Sequence, residues 1–271
     1  MSKTWMIREF LSFYAAADTV YQVHSPFVFD FVQAVLEDDR WFYAFSELEA
    51  FRASLMQNHQ SIAVTDYGAG SKKMKGRQRT VRQIAQSSLS GPNQCRQLFR
   101  LVQHFRPKKI IELGTSLGLS TLYFRAAALN AQIFTLEGCP EIAKLARKHF
   151  KDREAKNIQL LEGRFQDQLP KVLSLHGPPD LVFIDGHHLK APTLDYFQQC
   201  LDASHENTLF LFDDIHWSPQ MVEAWQSICA HSDIRLTIDL FHMGIAMRRP
   251  AQQEREHFKL VPQGWKFWKV F

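Results

Sequence analysis

The residues best placed to do chemistry in this chain are acids that end apolar runs. Asp185 closes the run "LVFID", and Asp213 with Asp214 closes "LFLFDD". A carboxylate directly after such a run is rarely buried filler, and Ser218 with Pro219 behind it is a better cap for the helix that follows. If both runs are parallel strands of an open sheet, their acids lie on the rim where such sheets take ligands. Clustered carboxylate oxygens suit a hard divalent cation, Mg²⁺, Ca²⁺ or Mn²⁺, better than zinc. Such an ion binds substrate oxygens and lowers the pKa of a hydroxyl, so Asp185, Asp213 and Asp214 are the candidate metal ligands. His187, His188 and His216 follow the acids closely, and an imidazole with a reference pKa near ~6.5 is mostly neutral at pH 7 and able to accept a proton.

A second constellation lies upstream in "KKIIELGTSLGLSTLYF" and "QIFTLEG". The pattern is a short apolar strand, a glycine turn (Gly114-Thr115-Ser116-Leu117-Gly118), a helix, and a second strand ending in Glu137. Strand, turn, helix and strand in that order are half of a doubly wound sheet, with its crevice at the turn. A dinucleotide site expects G-x-G-x-x-G for close approach to a pyrophosphate. Here the turn is G-x-x-x-G with Glu112 before it, and that acid repels a pyrophosphate and attracts a cation. Glu137 can take both hydroxyls of a ribose. Together these residues favour a charged nucleoside without phosphates. Gly114 and Gly118 are expected where backbone passes close to that ligand.

The E-x-G-x-x-x-G turn and the acid ending the next strand resemble those of the class I S-adenosylmethionine-dependent methyltransferases. "LVFIDGHH" and "LFLFDDIHW" resemble the strand ends of the catechol and caffeoyl-CoA branch of O-methyltransferases. The resemblance covers Pro92 to Arg249. It implies a seven-stranded, mostly parallel sheet of order 3-2-1-4-5-7-6 whose last hairpin is antiparallel. It also implies that Glu112, Gly114, Thr115, Ser116, Gly118 and Ser120 hold the methionine end of S-adenosylmethionine, and Glu137 with Gly138 the ribose. Gly163, Arg164 and Phe165, with Gln166, match the adenine loop, and Asp185 contacts cofactor as well as metal. The branch has Asp-Asn where this chain has Asp213-Asp214, and a lysine base where it has His188. His188 is therefore the expected base, with His187 and His216 as alternatives. The implied reaction is methyl transfer to an oxygen of a small molecule, with an RNA acceptor as the second reading and a non-catalytic protein on the same fold as the third.

With 271 residues and 45% hydrophobic content the chain can bury a full core. Alternating strand and helix patterns from Pro92 onward predict an α/β, doubly wound fold. Arg235 to Phe241 and Gly244 to Arg248 are too close together for a crossover, so they are expected to be antiparallel. The expected organisation is an N-terminal helical, aromatic extension with a basic loop (1–90), a cofactor-binding domain (91–250) and a basic-aromatic tail (251–271). The aromatic front end reads first as packing glue, and second as a substrate wall or homodimer contact. "DYGAG" at 66–70 imitates the cofactor turn but lacks the helix and second strand that context requires. Lys72, Lys73, Lys75, Arg77, Arg79 and Arg82 read first as a solvated face and second as an RNA or phosphate patch. The tail's Trp265, Phe267 and Trp268 are expected to pack on the first helices while its cations snorkel to water. No secretory signal and no membrane span are read, and the four cysteines form no C-x-x-C pair. The expectation is a cytoplasmic enzyme with reduced thiols.

Overall fold

Apolar runs alternating with helix-period segments give, in chain order, α1 (Lys3–Ala16), α2 (Pro26–Phe31, continued by a π-helical turn Val32–Leu36) and α3 (Tyr43–Gln57). Two short strands, β1 (Ser61–Val64) and β2 (Arg77–Thr80), precede α4 (Val81–Ser88) and α5 (Pro92–Phe105). The regular alternation follows: β3 (Lys109–Leu113), α6 (Leu119–Ala127), β4 (Gln132–Glu137), α7 (Pro140–Asp152), β5 (Ile158–Glu162) and α8 (Phe165–His176). It continues with β6 (Leu181–Ile184), α9 (Lys190–Asp202), β7 (Leu209–Asp213), α10 (Pro219–Cys229), β8 (Leu236–Asp239), β9 (Met243–Met247) and β10 (Glu256–Lys259). This computed structural model describes residues 3–65, 77–250, 252 and 254–266. The "DYGAG" segment, Lys72, Lys73 and Lys75, and Phe267 with Trp268 lie outside the described residues.

The fold is α/β and Rossmann-like, with mostly parallel strands flanked by helices. Two compact units share the chain, Asp39–Gly177 and a discontinuous unit of Met1–Asp38 with Pro178–Phe271. In the continuous unit β3 and β5 both pair in parallel with β4, the 3-2-1 order expected. Four of the five β3 residues are fully enclosed, as parallel strands covered on both faces must be. Phe45, Phe99, Leu122, Tyr123 and Phe150 form one core within this unit, so α3 and α5 belong to it. In the discontinuous unit β6 pairs in parallel with β7, β7 antiparallel with β9, and β9 antiparallel with β8, the 4-5-7-6 order.

Three features depart from expectation. An additional strand, β10, pairs in parallel with β8, so a segment assigned to the tail is part of the sheet. The antiparallel pair β1 and β2, with α4 behind it, was not expected either. The units also cut the chain differently from the expected domains, because α1 is held by the far end of the sequence. Tyr14 donates to the Trp265 carbonyl (2.6 Å), and the Lys266 ammonium donates to the carbonyl of Ala17 (2.7 Å) just beyond the helix end. Lys266 is 2% exposed, so this cation caps a helix C-terminus where a snorkelling charge was expected. Trp265 meets Phe10 edge-on yet remains about half exposed. Among the described residues no helix is long and apolar enough to cross a membrane.

Candidate functional site

In the continuous unit the glycine turn is built by inward hydrogen bonds. Gly114 (φ +113°), Ser116 (φ +47°) and Gly118 (φ +83°) all take left-handed backbone, which reverses the chain between β3 and α6. A Cβ at Gly118 would lie 2.6 Å from the Phe150 ring, so helix packing alone already requires glycine here. The amides of Gly114 and Thr115 both donate to the Leu136 carbonyl (3.0 and 3.1 Å), fastening the turn to the end of β4.

Two acids hold the rim in different ways. Glu112 is completely buried, and its carboxylate accepts from the hydroxyls of Ser120 (2.5 Å), Thr135 (2.6 Å) and Thr121. The Thr115 hydroxyl in turn donates to Thr135 (2.6 Å), so Thr115 points inward. Burial pushes the Glu112 carboxyl up to about 7, against the pull of those three hydroxyls. Its influence at the rim therefore runs through Ser120. Glu137 is half-exposed, taking the Ser116 amide on Oε2 (2.9 Å) and the Cys139 amide on Oε1 (2.8 Å). The Glu137 carbonyl accepts the Gly163 amide (2.9 Å), so one residue joins the glycine turn to the adenine-loop candidate. Gly138 is half-buried beside it. In that loop Gly163 (φ +135°) precedes Arg164, which is exposed at the N-cap of α8. Phe165 and Gln166, expected in a turn, already belong to α8, and Phe165 is buried.

The discontinuous unit carries the acids and histidines. Asp185 follows the last residue of β6 and Asp213 is the last residue of β7, both at carboxyl ends of parallel strands. Asp213 is buried and hydrogen-bonded carboxyl to carboxyl with Asp185; burial, then the charges of Asp185 and Asp214, push its pKa well above the usual carboxylate range. His188 lies between the other acids, its Nε2 3.7 Å from Asp185 Oδ1 and its Nδ1 4.0 Å from Asp214 Oδ2. Burial holds the His188 imidazole below its ordinary value, with Asp214 opposing, and burial raises Asp214, with His188 opposing. The two positions that depart from the resembled pattern thus face each other. His187 (φ +66°), His188 (φ +36°) and Asp214 (φ +55°) are left-handed without being glycine. Such backbone costs about 1–3 kcal/mol per residue and gathers at sites where geometry is imposed for function.

The alternative bases separate cleanly. His187 stacks on Tyr196 and shares a hydrogen bond with its hydroxyl (2.9 Å). His216 is enclosed, with Nδ1 3.0 Å from Glu9 and Nε2 2.9 Å from Asp239, and lies flat on Phe241. With both nitrogens engaged it is a structural tie between α1 and the loop after β7, not a base. Ser218 caps α10, accepting the Met221 amide (3.2 Å), as expected. Ser25 stands at the N-cap of α2 without a side-chain bond.

Sequence reasoning missed Thr121 and Thr135, which satisfy Glu112, Ser88, whose hydroxyl meets that of Ser116 (2.8 Å), and Tyr196, which orients His187. Threonines on apolar elements beside a buried acid were the one available signal. As for a metal, three carboxylates are a hard-oxygen donor set, and the Asp185–Asp213 contact calls for a proton or a cation between two acids. Among the described residues, however, no three His, Cys, Asp or Glu side chains are grouped to hold an ion, because Asp214 faces His188.

Residues 111–215 match a family model described as a methyltransferase domain. The chain is 38% identical over 128 residues to a catechol O-methyltransferase of Niastella koreensis, covering 46% of this chain and 57% of that protein. It is 31% identical over 122 residues to catechol O-methyltransferase B of Danio rerio, covering 42% and 45%. The chain spans about half the length of the curated relatives it matches. Among solved structures, the S-adenosylhomocysteine-bound methyltransferase PaMTH1 of Podospora anserina superposes with TM-score 0.57 at 17% identity, covering 83% of this chain and 97% of that one. An O-methyltransferase of Bacillus cereus, also in complex with S-adenosylhomocysteine, gives 0.55 at 17%, covering 87% and 99%.

Proposed function

From its class I S-adenosylmethionine-dependent methyltransferase domain, related to the catechol O-methyltransferase branch, we propose that this chain transfers a methyl group to an oxygen of a small-molecule acceptor. The observation that carries the reading is His188, held between Asp185 and Asp214 at the carboxyl ends of β6 and β7. S-adenosylmethionine supplies an electrophilic methyl on a sulfonium and leaves as S-adenosylhomocysteine. Ser116, Gly114 and Ser120 form the rim for its methionine end, and Glu137, ending β4, accepts from the ribose hydroxyls. The Gly163–Phe165 segment meets the adenine. His188, kept neutral by its surroundings, accepts the acceptor's hydroxyl proton, and Asp214 stabilises the imidazolium that results. Oxygen then attacks the methyl carbon, and alignment of the reacting atoms supplies most of the acceleration.

A divalent cation would be held by Asp185 and Asp213, whose carboxyl-to-carboxyl contact fits a cation as well as a proton, while Asp214 faces His188. Bound there, it would supply charge stabilisation for the acceptor oxygen.

A phenol with two adjacent hydroxyls is the first acceptor to test, given the relatives' names. Calorimetry with S-adenosylhomocysteine and turnover with S-adenosylmethionine and catechol test the reading. Binding of S-adenosylhomocysteine together with transfer from S-adenosylmethionine is the expected outcome, and absence of any cofactor binding ends it. For the cation, calorimetric Mg²⁺ binding lost in Asp213→Asn is expected; undiminished turnover in chelator removes the ion from the mechanism.

A further inference from the structure

Within the discontinuous unit a second cleft lies at the end of β8 and β9 remote from the acids. It measures about 220 Å³ and is lined by Ser232, Asp233, Arg235, Arg248 and Pro250. The register fixes where it sits. β9 runs from Met243, opposite Asp213, to Met247, opposite Leu209. Arg248 follows that far end, about 13 Å from the acids at ~3.3 Å per residue. Arg235 precedes β8 at the same end, its amide donating to the Met247 carbonyl (3.1 Å).

The two arginines are used differently. Arg248 is spent, with Nη2 3.0 Å from Asp233 Oδ2 and Nη1 3.3 Å from the Ser204 hydroxyl. Arg235 is half-buried, and among the described residues its guanidinium has neither an ion-pair nor a hydrogen-bond partner. A guanidinium withdrawn partly from water and facing an open cleft is an unmet demand for an oxyanion, whose geometry its planar fork matches. Among the described residues Asp233 is the one carboxylate lining the cleft, and it is paired with Arg248.

The geometry points to an anion-binding site in this cleft, with Arg235 as the principal ligand, for a phosphate or phosphate-monoester group. It is separate from the candidate methyl-transfer residues and does not depend on them.

The test is calorimetric titration of the full chain with inorganic phosphate and with the monophosphate glycerol 3-phosphate, at fixed ionic strength. Saturable binding is expected, weakened at least ~tenfold in Arg235→Ala and tightened ~threefold in Asp233→Asn, which removes the competing charge. Circular-dichroism melting verifies that both variants are folded, and the opposite sign of the second keeps the test decisive if the first is unstable. Tighter binding of the monophosphate than of phosphate identifies the occupant as a phosphorylated molecule; equal binding identifies free phosphate. Affinity that is the same in all three proteins, or that chloride at the same ionic strength abolishes, overturns the site.

Discussion

The candidate cofactor rim of the continuous unit and the acid cluster of the discontinuous unit are both built at strand ends, but they settle their polar groups in opposite ways. On the rim each acid is satisfied: Glu112 by three hydroxyls, Glu137 by two backbone amides. In the cluster three acids and a histidine crowd together on strained backbone, two carboxyls share a hydrogen bond, and the imidazole stands 3.7 and 4.0 Å from its neighbours. The rim spends its charge on shape, which suits a surface that must fit one ligand. The cluster leaves charge unresolved, which suits a place where a proton moves.

That contrast is sharpest in the variants expected to act most strongly. Asp213→Asn and His188→Ala should each lower turnover by about 10²–10⁴-fold, the usual worth of a positioned acid or base. Asp213→Asn should leave melting unchanged or raise it, because it removes a charge that burial and two neighbours disfavour. A large fall in its melting temperature would erase the distinction between the two regions.

The next effect belongs to the rim. Glu112 titrates near 4.5 when unfolded and about 7 when folded, so its contribution to stability is complete below the lower value and lost as pH rises through the upper. The loss amounts to about 3 kcal/mol at ~1.4 kcal/mol per unit. Glu112→Gln should flatten the urea-denaturation stability profile between pH 4.5 and 7, and an unchanged slope would mean that the carboxyl is not enclosed.

Smaller again, Gly118→Ala should cost about 2 kcal/mol in chemical denaturation, since it adds left-handed strain and a contact with Phe150. Smallest is a matched pair of caps. Ser218→Ala should cost about 1 kcal/mol and Ser25→Ala only a few tenths, because only the first accepts an amide. Equal losses would show that cap geometry does not separate them.

What the sequence made legible was local. The glycine turn, the acid ending β4 and the acids ending β6 and β7 each announce themselves within ten residues, because strand, turn and strand-end chemistry are encoded by neighbours. What stayed hidden depends on partners far along the chain. Nothing near His216 indicates that Glu9, 207 residues away, occupies its Nδ1. Nothing near Lys266 marks it as the cap of α1, and "EHFK" is too short and too polar to read as a sheet strand. Glu112 was read as a charge facing a ligand because the hydroxyls that enclose it lie eight, nine and twenty-three residues ahead.

The Lys266 cap on α1 also sets an order of events during synthesis. Its ammonium reaches the carbonyl of Ala17 across 249 residues, so α1 leaves the ribosome long before the group that terminates it exists. Residues 39–177 are contiguous and can consolidate as they emerge, whereas the unit carrying Asp213 and His188 must wait for the segment that reaches back to α1. A product terminated after residue 177 would therefore possess the candidate nucleoside rim and none of the candidate proton-handling residues.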